Sequence, residues 1–134
     1  MSEQTSQEMT HDDILIIDDG VIEKITGVVT RQIDGILDMK GSLMSGLASS
    51  FGGKSAKGVT ASVEGAAASI EIKAILEYGA SAPDIFEQIK TAVRREVKNM
   101  TGLDVKDIQF RIVDVMTQEE FDRSSRDVAK KAQS

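Results

Sequence analysis

Read from the N-terminus, the first hydrophobic feature is a block, Ile14-Leu15-Ile16-Ile17, followed at once by Asp18-Asp19-Gly20. A β-branched run bounded by turn-forming residues predicts a short strand. From Val21 the period changes: Val21, Ile22, Ile25, Val28, Val29, Gln32 and Ile33 recur at three and four, with Glu23, Lys24, Thr30 and Arg31 on the other side. That spacing predicts an amphipathic helix. Asp18 or Asp19 is its expected cap, because a carboxylate there accepts early N–H groups and meets the positive end of the helix dipole. The helix is expected to end near Asp34-Gly35, with Ile36 to Lys40 as a second short strand. The Gly/Ser-rich segment 41–57 is irregular, although Leu43, Met44, Leu47 and Phe51 would share one side of a short helix.

Two alternating runs follow. Val59, Ala61 and Val63 alternate with Thr60, Ser62 and Glu64; after a turn at Gly65 to Ala68, Ile70, Ile72, Ala74, Leu76 and Tyr78 alternate with Glu71, Lys73, Ile75 and Glu77. A period of two predicts an antiparallel hairpin with one wet face, and Ile75 is the apolar exception on that face. Tyr78 is read as the strand's last inward residue. Gly79 stops the strand, and Ser81-Ala82-Pro83-Asp84 opens a second helix, with Ser81 as cap and Pro83 in the first turn. Ile85, Phe86, Ile89, Ala92, Val93, Val97 and Met100 form its apolar stripe, and Thr101-Gly102 ends it. Val105, Ile108, Phe110 and Ile112 predict a strand reaching Val115. Thr117-Gln118-Glu119-Glu120 has capping-box spacing and opens a third helix, whose stripe of Phe121, Val128 and Ala129 is thin.

The resulting order is β-α-β-β-β-α-β-α. Lacking strict βαβα alternation, it predicts an α+β fold: a small mixed, mostly antiparallel sheet with two main helices on one face. Residues 1–13 read as a polar tail, 14–116 as one domain, and 117–134 as a C-terminal helix with a frayed end.

Composition narrows the function. A chain of 134 residues fits one domain. Cysteine is absent and histidine occurs once, as His11. That excludes a disulfide framework, a thiol nucleophile, a Cys-rich zinc site and any site built on two histidines. The net charge of −6 argues against a protein built mainly to hold nucleic acid. Neither a signal-peptide pattern nor an apolar run of membrane-spanning length occurs, so a cytoplasmic location is expected.

Three constellations imitate chemistry. Ala48 to Ser55 fits Walker A spacing with Ala in the first glycine position, which would put Lys54 on the outer phosphates and Ser55 on Mg²⁺. The strand–loop–helix context that a phosphate loop needs is missing, so nucleotide binding is not assigned. His11, beside Asp12 and Asp13, reads as a solvated residue of the polar tail. Those two aspartates with Asp18 and Asp19 lack the spacing of a calcium loop. No catalytic, cofactor-binding or metal-binding residue is therefore assigned.

The remaining feature is a basic stripe. Lys90, Arg94 and Lys98 fall at intervals of four on the second helix and are joined by Arg95, with Glu87 and Glu96 nearby. Together with Lys73 and Ile75 on the strand face, these residues form the candidate partner-binding set. A second reading of the same helix, 84–100, is a weak nucleic-acid-binding module.

The order of motifs is also familiar. Lys57-Gly58-Val59 opens the hairpin, Glu77-Tyr78-Gly79 closes it, a helix from Ile85 to Val97 follows, and Met100-Thr101-Gly102-Leu103 leads into Val105 to Val115. With the Asp18-to-Ile33 helix and the Gly41-to-Lys54 loop, this resembles the alkaline shock protein family of Gram-positive bacteria over about Ile14 to Val115. The resemblance implies a non-enzymatic, cofactor-free cytoplasmic protein that supports cell-envelope homeostasis under stress. It also implies self-association, and recruitment to the inner face of the membrane by a partner with its own transmembrane anchor.

Overall fold

The computed structural model describes residues 11–39 and 58–124. Helix α1 (Asp19–Arg31) leads into strand β1 (Ile36–Met39). The hairpin of β2 (Val59–Glu64) and β3 (Ala67–Glu77) comes next, then helix α2 (Ala82–Thr101) and strand β4 (Asp104–Met116). A further helical segment covers 118–124. The fold is α+β, as the pattern predicts.

The longest alternating run of the sequence becomes the centre of the sheet. Along one side, β3 pairs antiparallel with β2 through residues 67–72 and with β1 through residues 74–76. Along the other it pairs parallel with β4 from end to end. Ala68, Ile70, Ile72, Ala74 and Leu76 point to one face, as a period of two requires, and all five are buried. Against them pack Ile22, Ile25 and Val29 of α1 and Ile85, Ile89, Val93 and Val97 of α2. Both helices therefore lie on one face of a mixed sheet, over an aliphatic core.

Helix α2 is bounded as its sequence specifies. The Ser81 hydroxyl accepts from the Asp84 N–H at 3.4 Å, and Pro83 sits in the first turn. Gly102 ends the helix at φ +79°, a left-handed conformation that costs a glycine little, and its N–H closes on the Lys98 carbonyl at 2.9 Å. The Thr101 hydroxyl donates to the Val97 carbonyl and accepts from the Leu103 N–H, which turns the chain directly into β4. The predicted capping box also forms: the Thr117 hydroxyl accepts from the Glu120 N–H at 3.1 Å, and the Glu120 carboxylate from the Thr117 N–H at 2.9 Å.

Several expectations are corrected. Ile14 to Ile17 is not a strand, so the observed order begins with α1; Ile14 and Leu15 are each 79% exposed. The segment lies beside Val63 and Gly65 at the end of β2. The β2 edge there is already occupied, since the Val63 and Ala61 N–H groups donate to the Asp19 and Glu23 carboxylates at 3.0 Å each. A strand without a ladder partner leaves its main chain to water. The same contacts explain why the α1 cap differs from expectation. Asp18 has the extended cap conformation but makes no side-chain cap bond, and Asp19 is turned toward β2.

On α1, Val21 and Val28 face outward, while Thr26 and Thr30 are fully buried, and neither hydroxyl has a hydrogen-bond partner among the described residues. Met100 and Tyr78, read as inward residues, are exposed. The Walker-like stretch 48–55, the Leu43/Met44/Leu47/Phe51 group, the polar residues 1–10 and the stripe residues Val128 and Ala129 lie outside the described residues.

Candidate interaction surface

The basic stripe is built on α2, where a four-residue spacing stacks side chains on one face. Three of its four cations, Lys90, Arg94 and Lys98, have a local partner. Lys90 Nζ lies 2.7 Å from the Glu87 carboxylate and 4.8 Å over the Phe86 ring. Phe86 in turn stacks on Phe110 of β4, with ring centroids 5.8 Å apart. Arg94 Nε donates to the Val105 carbonyl at 3.1 Å. Lys98 Nζ donates to the Asp104 carboxylate at 3.0 Å and to the Gly102 carbonyl at 3.4 Å. Arg95 is exposed and makes no ion pair or hydrogen bond among the described residues. Exposed ion pairs of this kind contribute about 0–1 kcal/mol each, so their effect is mainly to orient the cations. Arg94, Arg95 and Lys98 border a shallow depression with Asn99, Leu103 and Asp104, where α2 meets the start of β4.

Lys73 and Ile75 do not join this surface. They occupy odd positions of β3, whose even positions face the helices, so they lie on the opposite face of the sheet. Lys73 is half-buried and pairs in register with Arg111 of β4. Ile75 is only 8% exposed, which removes it as an exposed contact residue. The candidate set therefore divides into the α2 group and a separate strand face, because alternation about a central strand sends its neighbours to opposite sides.

Two features escape a reading by composition. Between the helices, Ile25, Val28 and Val29 of α1 and Met100 of α2 line an apolar groove bordered by Lys24, Gln32 and Glu96. The second is the outer edge of β4. Among the described residues only β3 pairs with this strand, so one side of its 13 residues carries no ladder. Two register shifts interrupt it, between Val105 and Asp107 and between Ile112 and Asp114, placing Lys106 and Val113 as extra residues. Ile108, Phe110 and Ile112 pack against the core yet remain half-buried, and Val113 and Val115 are exposed. The signal in the sequence is the length of this alternating run, from Val105 to Val115.

Among the described residues, no group of three or more His, Asp or Glu side chains is arranged to hold a metal ion. His11 is exposed. None of the described helices is long and apolar enough to cross a membrane.

A protein-family model described as the ASP23 family, with cell envelope-related function, matches residues 7–117. A Streptococcus pyogenes protein named stress response regulator gls24 homolog is 34% identical over 110 residues, which cover 81% of this chain and 62% of that protein. The chain thus spans about three-fifths of the length of such relatives. The Bacillus subtilis protein YqhY is 26% identical over 133 residues, covering 96% of both chains. Among solved structures, a variant of the MamM CTD superposes with a TM-score of 0.48 at 7% identity, covering 70% of this chain and 92% of the other. The family match runs through both helices and all four strands described above, and the chain belongs to the ASP23 family, the alkaline shock family, whose function relates to the cell envelope.

Proposed function

We propose that the protein is a non-catalytic scaffold of the envelope stress response, which self-associates and docks on an anchored protein partner near the inner face of the membrane. Family membership and similarity to stress response regulator homologs support the envelope and stress setting. The observation that carries the docking half is the exposed face of α2, where Arg94 and Lys98 are oriented by bonds to the start of β4 and Arg95 lies beside them, on a chain of net charge −6. A cationic face on an acidic protein favours an acidic protein segment as partner. Glu87 and Asp104 already pair with Lys90 and Lys98, which favours a protein segment over a nucleic-acid backbone, where several unpaired cations would each displace counterions. Lys73 belongs to a separate face and is kept as a secondary contact; Ile75 is withdrawn.

Crosslinking and capture from native membrane and cytosolic fractions tests the docking half. Capture of a membrane-anchored protein is expected, and Arg95→Glu is expected to reduce it several-fold while leaving the melting temperature unchanged. Capture that is indifferent to charge reversal at Arg94, Arg95 and Lys98 would sink this surface. Light scattering at high micromolar concentration tests self-association, and a strict monomer removes it.

A further inference from the structure

The main chain of β4 can be assigned to its two sides from one bond. The Lys73 N–H donates to the Gly58 carbonyl at 2.7 Å, so odd positions in the first half of β3 bond toward β2 and the even positions bond toward β4. In a parallel ladder, the residue paired with an inward-bonding residue turns its own N–H and C=O away. Ile70 pairs with Ile108, Ile72 with Phe110 and Ala74 with Ile112. Ile108, Phe110 and Ile112 therefore present their main-chain groups to the open edge. Val105, paired with Ala68, obeys the same rule, and its outward carbonyl is the one that Arg94 reaches.

We propose that this open edge is where two copies of the chain associate, β4 to β4, antiparallel about a two-fold axis at Phe110. It rests on the self-association reading above and names its surface. Between the two extra residues, Lys106 and Val113, the three outward-facing residues are symmetric about Phe110. Pairing Ile108 with Ile112 of the second copy, Phe110 with Phe110, and Ile112 with Ile108 satisfies all three N–H and all three C=O groups on each strand. An edge with unmet main-chain groups is a template for such addition.

The side chains favour the same register. Pairing lays each half-buried Ile108 against the second copy's Ile112. The two Phe110 rings then meet at the axis and extend the existing Phe86–Phe110 stack across it. At each end Lys106 falls opposite the second copy's Asp114, an opposite-charge pair, and Gln109 falls opposite Arg111. Sliding by one step in one direction sets Arg111 against itself. Sliding in the other sets Asp104 against Asp114 and Lys106 against Ile112. Like charges directly opposed are unfavourable, so charge selects one register.

The chain contains no cysteine, so introduced thiols report only on this contact. Gln109 and Arg111 face each other as a non-hydrogen-bonded pair, whose Cα separation of ~4.5 Å is within disulfide reach. The Gln109→Cys/Arg111→Cys variant is expected to give a disulfide-linked dimer on non-reducing gels under mild oxidation, while Gln109→Cys alone gives little. Lys106→Glu is expected to weaken dimerisation roughly tenfold in sedimentation equilibrium, because two attractive pairs become repulsive. The charge swap Lys106→Glu/Asp114→Lys is expected to restore it. A monomeric unaltered chain at high micromolar concentration overturns both this contact and the self-association reading. If the unaltered chain associates but the double-cysteine variant stays unlinked and charge reversal and swap leave the affinity unchanged, another face is used. In that case only the β4 pairing falls.

Discussion

The two long edges of the sheet are finished in different ways. The β2 edge is closed from within: Asp19 and Glu23, one turn apart on α1, accept from Val63 and Ala61, two residues apart on β2. A four-residue step on a helix matches a two-residue step on a strand, since both advance about 6–7 Å. On the β4 edge Arg94 reaches the Val105 carbonyl and the Asp114 carboxylate accepts from the Val115 N–H, and between them the main chain of Ile108, Phe110 and Ile112 meets no partner among the described residues. A closed edge cannot add a strand, which also leaves the apolar Ile14–Ile17 segment beside it unpaired. An edge left open along an apolar run is where association can occur.

Substitutions at four positions break or sharpen this contrast, and their expected sizes differ because the groups lie at different depths. The central strand sets the upper end. Ile72→Ala, at a fully buried position that both edges depend on, is expected to cost about 2–5 kcal/mol in urea unfolding. Glu23→Ala opens the β2 edge at its buried end. It leaves the Ala61 N–H without an acceptor at a residue only 6% exposed, and a loss of about 1–3 kcal/mol is expected. Glu23→Gln, which keeps a carbonyl oxygen in place, should recover most of that loss in the same titration; no recovery would mean that the contact to Ala61 is not what stabilises the edge.

An interior counterpart comes next. The Thr26 hydroxyl is buried with no partner among the described residues, the reverse of the satisfied rim, so Thr26→Val is expected to stabilise by about 1 kcal/mol and raise the melting temperature by several degrees. A fall in melting temperature would show that the hydroxyl is satisfied in solution. The smallest effect is expected at the exposed end of the closed edge. Asp19→Ala should cost under about 1 kcal/mol, because water can replace the carboxylate at the exposed Val63 N–H. Equal losses for Asp19→Ala and Glu23→Ala would contradict the depth argument.

Much of the fold was legible from local pattern. The alternation of Ile70 through Leu76 marks the central strand, the stripe Ile85-Ile89-Val93-Val97 marks α2, Thr101-Gly102 marks its end and Thr117-to-Glu120 the start of the next helical segment, because period, cap and turn chemistry act over a few residues. The candidate surface was legible only in part. The stripe Lys90-Arg94-Lys98 shares a helix face by spacing alone, but whether Lys73 and Ile75 join it depends on which face of the sheet the helices cover, which no local spacing encodes. The strand expected at Ile14 to Ile17 failed for a related reason: local propensity is met only if an edge is free, and edges are set by non-local pairing.

By itself, the sequence determined the α+β class, the aliphatic core, the limits of α2 and the absence of thiol or two-histidine chemistry. All of these follow from composition or from interactions reaching no more than a helical turn. Only the tertiary structure decided that β4 runs parallel to β3, that α1 closes one edge with its acidic face, and that the other edge, beside the basic helix, pairs with no strand among the described residues. Those facts depend on contacts such as Glu23 to Ala61, 38 residues apart, whose geometry no local period encodes.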